Sequence, residues 1–143
     1  MNRSEKLKPV LKLSAQKARE GLKAIAYVQE QLEQEQARLA QLLNCKEEYV
    51  KSNKLQTVNS FTLSITRNFQ QQVNTAISQQ MQQIAVIQSQ LEEVRQRWQQ
   101  LDARKQSLEK TQLKLQQQEQ AQQQRREQLE MEQNHRLRHH RAQ

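Results

Sequence analysis

The sequence predicts an all-α fold: two long helices folded back on each other as an antiparallel coiled-coil hairpin, the second helix extending beyond the first. Three observations predict it. Two long stretches alternate apolar steps of three and four residues, the period of a coiled-coil seam and narrower than the stripe of a helix lying on a globular core. Between them, KSNKLQTVNS at residues 51–60 loses that alternation and gathers Ser, Asn and Thr, whose side chains cap helix starts and compete with the helical backbone. The 143-residue chain also contains little that interrupts a helix, with one glycine, one proline and about thirty glutamines, the last a good helix former without charge.

Taken in order, residues 1–8 are expected to fray, and Pro9 to open the first helix, where its missing N–H is no loss. That helix is expected over about 8–50, with a seam of Leu11, Ala15, Ala18, Leu22, Ile25, Gln29, Leu32, Gln36, Leu39, Leu43, Lys46 and Val50. Gly21 lies inside it, either as a point of close approach near Ala18 and Leu22 or as a local weakness of about 1 kcal/mol relative to alanine. The bend follows at 51–60, with Asn59 or Ser60 as the cap of the next helix. The second helix is expected over about 61–130, with a seam of Val73, Ile77, Gln80, Ile84, Ile87, Leu91, Val94, Trp98, Leu101, Lys105, Leu108, Gln112 and Leu115. Beyond it comes a frayed basic tail, 131–143. An antiparallel partner for the first helix is used up near Gln106 to Lys110, and past Leu115 the seam positions turn polar, so the remainder projects as a single solvated helix.

Composition restricts function in the same direction. With 34% hydrophobic and 3% aromatic residues, the chain has too little apolar volume for a compact core of its length, and one elongated domain is expected. No stretch reaches the length of about 18 apolar residues needed for a membrane span, and no secretory signal pattern opens the sequence. Cys45 is the only cysteine, so it forms no internal disulfide and suits a reducing compartment. A single glycine excludes phosphate-binding glycine loops, and no nucleophile, base and orienting group are gathered as a catalytic site requires. The expectation is a non-enzyme with no cofactor and no metal. His135 and His139 are spaced i, i+4, but lack a third defined ligand.

The formal charge is +8, from 23 Lys and Arg against 15 acids, with the excess toward the chain ends. Lys6, Lys8, Lys12, Lys17, Arg19 and Lys23 begin the first helix; Arg125, Arg126, Arg136, Arg138 and Arg141 finish the second. An antiparallel hairpin puts both sets at or beyond one end, a basic tip suited to an acidic partner or simply to solubility. Nucleic acid is not expected, because no zinc-finger spacing, RNA-recognition motif or aromatic platform accompanies the charge. Direct membrane insertion is not expected either, since neither end pairs its basic residues with a wide apolar face. Between Lys54 and Glu92, Arg67 is the only charge. There Phe61, Ile65, Phe69 and Val73 form an i, i+4 series continuing into Ala76, Ile77 and Gln80. This is more apolar surface than one seam requires, serving either a second partner or closure of the hairpin end.

Several of these features together resemble the FliJ family, the small coiled-coil component of bacterial flagellar protein export. The resemblance rests on LKPVLKLSAQKAREGL early in the first helix and Glu48-Tyr49 after a Leu-rich turn. It continues through Phe69, Val73, Ala76-Ile77, Gln79-Gln80 and Trp98, and ends at RKQSLEK over residues 104–110, covering about residues 7–115. It implies a monomeric hairpin stalk, cytoplasmic and peripherally associated with the inner membrane at the flagellar base. The partners it implies are the hexameric export ATPase, the cytoplasmic part of the export gate and export chaperones. On this chain it assigns ATPase-ring binding to the basic tip, with Lys8, Lys12, Lys17 and Arg19, and gate binding to Phe69, Val73, Ala76 and Gln80. The equivalent stalk of a virulence type III secretion system and an autonomous homodimeric coiled-coil scaffold are the alternatives.

Overall fold

A computed structural model describes residues 2–54 and 59–142. They form two helices, α1 over Arg3–Lys54 (52 residues) and α2 over Ser60–Ala142 (83 residues). The helices pack against each other in an all-α hairpin. The chain divides into two compact units, Gly21–Trp98 and a second made of Met1–Glu20 with Gln99–Gln143.

All thirteen expected seam positions of α2, Val73 through Leu115, are buried or half-buried. The α1 seam is different. Its covered positions are Ser4, Leu7, Leu11, Ser14, Ala15 and Ala18, then Gly21, Ala24, Ile25, Val28, Gln31, Leu32, Glu35, Leu39, Leu42, Tyr49, Val50 and Asn53. Ala15 and Val50 are covered as expected, whereas between them every second position lies one residue earlier than the sequence-based register. Leu22, Gln29, Gln36, Leu43 and Lys46 are exposed rather than covered. The reason is that α1 is apolar on three adjacent columns, whereas a two-stranded seam uses two. Choosing the earlier column buries Val28 instead of Gln29 and brings Tyr49 into the interface, which outweighs leaving Leu22 in water.

In the unit Gly21–Trp98, the core consists of branched side chains: Val28, Val73, Ile77, Ile84, Ile87 and Leu91 are buried. Val28, Ile87 and Leu91 form one cluster with Ile25, Leu32 and Val94 packed against it. One heptad step in each helix from Val28 and Leu91 places Gly21 across from Trp98. A glycine here leaves room for the indole, so close approach explains its position inside the helix. Gln80 interrupts the apolar seam. Its Nε2 donates to the Glu35 backbone carbonyl at 2.8 Å and also to the Glu35 carboxylate, which accepts from Arg38 at 2.9 Å as well.

Toward the bend, the Tyr49 and Phe69 rings pack with centroids 4.1 Å apart and planes tilted by 38°. The helix α1 continues through 51–54, residues expected in the bend, with a Lys51–Glu47 ion pair at 3.4 Å one turn apart. The rest of the expected bend, residues 55–58, lies outside the described residues. Asn59 caps α2, its Oδ1 accepting from the Thr62 N–H at 2.7 Å and its carbonyl from the Leu63 N–H at 3.0 Å.

The other unit is built from different material. Its buried residues are Ser4, Ser14, Ala18 and Gln112, flanked by half-buried Leu7, Leu11, Leu101, Leu108 and Leu115. The α2 column that reads Ile77, Ile84, Leu91 and Trp98 in the first unit continues here as Lys105, Gln112 and Glu119. The Gln112 Oε1 is buried without a hydrogen-bond partner. Fewer large apolar side chains are withdrawn from water, so less of the ordering entropy is offset.

Both outer helix boundaries exceed expectation. The helix α1 starts at Arg3 rather than near residue 8, and Pro9 is interior. Asn2 supplies the first carbonyl, accepting from the Lys6 N–H at 3.1 Å. Glu119 of α2 accepts from the Ser4 N–H at 3.1 Å and also from the Ser4 hydroxyl. This carboxylate satisfies an otherwise unpaired N-terminal donor and places negative charge at the positive end of the helix dipole. Across the chain, α2 runs to Ala142 instead of fraying from 131. No glycine or proline interrupts it, Gln, Glu and Arg are good helix formers, and His139, His140 and Arg141 complement the dipole in its last turn. Every residue from Gln120 to Ala142 is exposed, so α2 continues past the start of α1 as a single helix.

Two outcomes follow from the unequal cores. Amide hydrogen exchange should be faster over Ser4–Glu20 and Gln99–Glu119 than over Gly21–Trp98; uniform protection would contradict the contrast. Gln112→Leu should raise thermal stability, by about 1 kcal/mol, because it removes an unpaired buried acceptor.

Candidate interaction surfaces

The basic surface belongs to the unit containing both chain ends. That unit holds 15 of the 23 Lys and Arg but 8 of the 15 acids, a formal +7 of the total +8. Lys8, Lys12, Lys17 and Arg19 are all exposed. Steps of four and seven residues put Lys8, Lys12 and Arg19 on one side of α1, while Lys17 lies on the opposite flank of the seam. Three of the four thus form one stripe, and the fourth does not join it. Among the described residues, the only ion pair within this unit is Lys105–Asp102 at 3.5 Å, which leaves the α1 stripe available to a partner. The exposed segment Gln120–Ala142 adds Arg125, Arg126, Arg136, Arg138 and Arg141, interleaved with Glu127, Glu130 and Glu132.

The residues assigned to the gate lie differently. Val73 is buried, and Phe69, Ala76 and Gln80 are half-buried. Phe69 packs on Tyr49 and Gln80 bonds to Glu35, so both side chains are engaged with α1. The four residues do share one helical face, and that face is turned toward the hairpin seam. Farther toward the start of α2, the same i, i+4 series emerges into water, with Phe61 and Ile65 exposed. His135, His139 and His140 are exposed near the end of α2; among the described residues no three His, Cys, Asp or Glu converge as a metal site.

Two pairings escaped the sequence reading. The contact between Ser4 and Glu119 was signalled only by Glu119 continuing the α2 seam column. Glu35 with Gln80 was obscured by the misplaced α1 register.

Comparison with known families settles the kinship of this hairpin. A family model described as the flagellar FliJ protein matches residues 3–143. The chain belongs to the flagellar FliJ family. No curated protein and no solved structure matches it. FliJ membership covers the projecting end of α2 as well as the paired helices, and makes the chain a structural protein of flagellar export. No helix among the described residues of this FliJ chain is long and apolar enough to cross a membrane.

Phe69→Ala should destabilise the hairpin measurably, by about 1 to 3 kcal/mol, through loss of the aromatic pair and of buried area. Thermal unfolding indistinguishable from wild type would mean the ring contributes nothing to closure. The Glu119 carboxyl is held below its ordinary value of 4.5 by the hydrogen bonds from the Ser4 side chain and backbone, with slight desolvation opposing. A lowered carboxyl pKa stabilises the folded form above the ordinary value and loses that contribution as pH falls through the folded value. Helicity near the start of α1 should therefore decline below about pH 4.5, and Glu119→Ala should show the loss already at neutral pH. A Glu119→Ala chain with unchanged exchange at Ser4 and Lys6 would contradict the role of this contact.

Proposed function

We propose that this protein is the stalk that promotes assembly of the hexameric export ATPase, couples it to the transmembrane export gate and handles export chaperones. It works in the cytoplasm at the flagellar base. The observation that supports it best is the segregation of charge. The unit containing both chain ends carries nearly the whole net positive charge and exposes the Lys8, Lys12 and Arg19 stripe with few acids opposite it. Long, solvated basic side chains steer association with an acidic surface and lose little on desolvation at its rim. With the FliJ kinship, the flagellar export apparatus is where such an acidic partner is sought.

For the gate, the proposed contact is the apolar series in the uncharged part of α2. Phe69, Val73, Ala76 and Gln80 support it from the hairpin side, and Phe61 and Ile65 present its accessible portion. The engagement of Phe69 with Tyr49 means that loss of gate binding in a Phe69 variant must be separated from loss of fold.

The ATPase contact is tested by reversing Lys12, Lys17 and Arg19 to Glu. All three are exposed, so helicity should be retained while stimulation of ATP hydrolysis and ring assembly fall by at least about tenfold, a loss of about 1.4 kcal/mol in coupling. Full stimulation by a helical triple variant would rule out ring binding through this surface.

A further inference from the structure

Within the unit containing both chain ends, the share of α1 ends at Glu20, and the only glycine of the chain, Gly21, follows it directly. A glycine inside a helix is a weak point, because its backbone loses the most freedom on ordering. Little holds the segment before it to α2. Its fully covered side chains are small, Ser4, Ser14 and Ala18, and Leu7 and Leu11 are only half-buried. Covering Gln112 takes its Oε1 away from water without supplying a donor, which opposes closure. Among the described residues, no ion pair joins the two helices in this unit. The only hydrogen bonds from the segment to α2 are those of Ser4 to Glu119, at the end farthest from Gly21. The opposite stretch of α2 needs no such support. It contains neither glycine nor proline between Gln99 and Glu119 and is rich in Gln, Lys, Leu and Arg, all good helix formers. Its continuation from Gln120 to Ala142 is helical with every residue exposed.

We propose that Arg3–Glu20 is a strap, which leaves α2 as one piece, yielding at Gly21 and latched at its far end by Ser4 on Glu119, while α2 stays helical beneath it. Closed, the strap covers Leu101, Leu108 and Leu115. Open, it leaves those three leucines in a row along a bare helix and returns the Gln112 acceptor to water. Opening is a local event and costs less than unfolding Gly21–Trp98, where Val28, Ile84, Ile87 and Leu91 are buried. The Lys8, Lys12 and Arg19 stripe lies on the strap and moves with it. The inference rests on the packing of this unit alone and is independent of any export partner. A strap differs from a fraying end in that its residues open together, whereas fraying falls off stepwise from Arg3 and reaches Ala18 last.

The test is thiol labelling of the full chain in a Cys45→Ser background, with single probes Ser14→Cys, Ala18→Cys and Val28→Cys. The reagent is kept dilute, so that each rate reports the population of the open form. After correction for the reactivity of each thiol in the unfolded chain, Ser14→Cys and Ala18→Cys should label at least about tenfold faster than Val28→Cys. Adding Glu119→Ala should speed both by the same factor, about three- to tenfold, although Ala18 lies at the other end of the segment from the latch. Adding Gln112→Leu should slow both by about fivefold, and neither change should alter Val28→Cys. Labelling of all three probes at one rate would mean that the segment opens only when the whole chain unfolds, and would overturn the proposal. So would a Glu119→Ala effect that reaches Ser14→Cys and not Ala18→Cys, the mark of fraying, or a Gln112→Leu variant that labels as fast as wild type.

Discussion

Within the unit Gly21–Trp98, the hairpin depends on one polar layer in a mainly apolar seam, Gln80 against Glu35. Apolar side chains repeating every three and four residues define a face but not an alignment. Sliding one helix by a heptad would still lay Ile77, Ile84, Ile87 and Leu91 against aliphatic neighbours. The amide of Gln80 bonds to the Glu35 carbonyl and carboxylate, and a slipped register would set it beside a Leu or Val that offers no side-chain acceptor. The other specific features of that unit follow from the same alignment. Trp98 comes opposite Gly21, and Tyr49 comes against Phe69.

The two units divide apolar surface and charge between them. Gly21–Trp98 contains the branched core and has near-balanced charge; the other unit has small and polar seam residues and the positive excess. This separation suits an export stalk of the FliJ family. A firmly packed segment keeps the helices paired, and a basic segment with few internal ion pairs is what the proposed contact with partners requires. The projecting end of α2 follows the same logic, since its former seam positions, Gln122, Arg126 and Gln133 among them, have nothing apolar to bury and remain helical on propensity alone.

Much of the fold was legible in the sequence because the α2 seam keeps its three-and-four step through thirteen positions. Ile77, Ile84, Ile87 and Leu91 hold that step to one face, while their apolar neighbours Met81 and Val86 fall off it and are exposed. The first helix offered two candidate columns beside the shared one; Leu22 outranked Gly21 in hydropathy, and Leu43 and Leu42 were equal. The choice is made by the partner helix, through Trp98 and Gln80, which a reading of one helix at a time does not include. For the same reason α1 starts earlier than the sequence indicates. Pro9 is a strong local start signal, whereas the Glu119 that holds Ser4 lies more than a hundred residues away in sequence. Of the candidate sites, the exposed basic stripe was legible because charge at helix ends is a local property. The inward orientation of Phe69 and Gln80 was not, since the same i, i+4 series serves a docking face and a closing seam equally well.

Spin labels at the exposed positions Gln34 and Gln82, beside the Glu35–Gln80 layer, would test the register lock most directly. Measured in a mixture diluted with unlabelled chain, so that only distances within one chain contribute, wild type should give a single narrow distribution. Gln80→Leu should add a second population displaced by a heptad, about 10 Å along the helix axis. A Gln80→Leu distribution as narrow and as centred as wild type would show that the apolar seam alone sets the alignment, contradicting the role given to this layer.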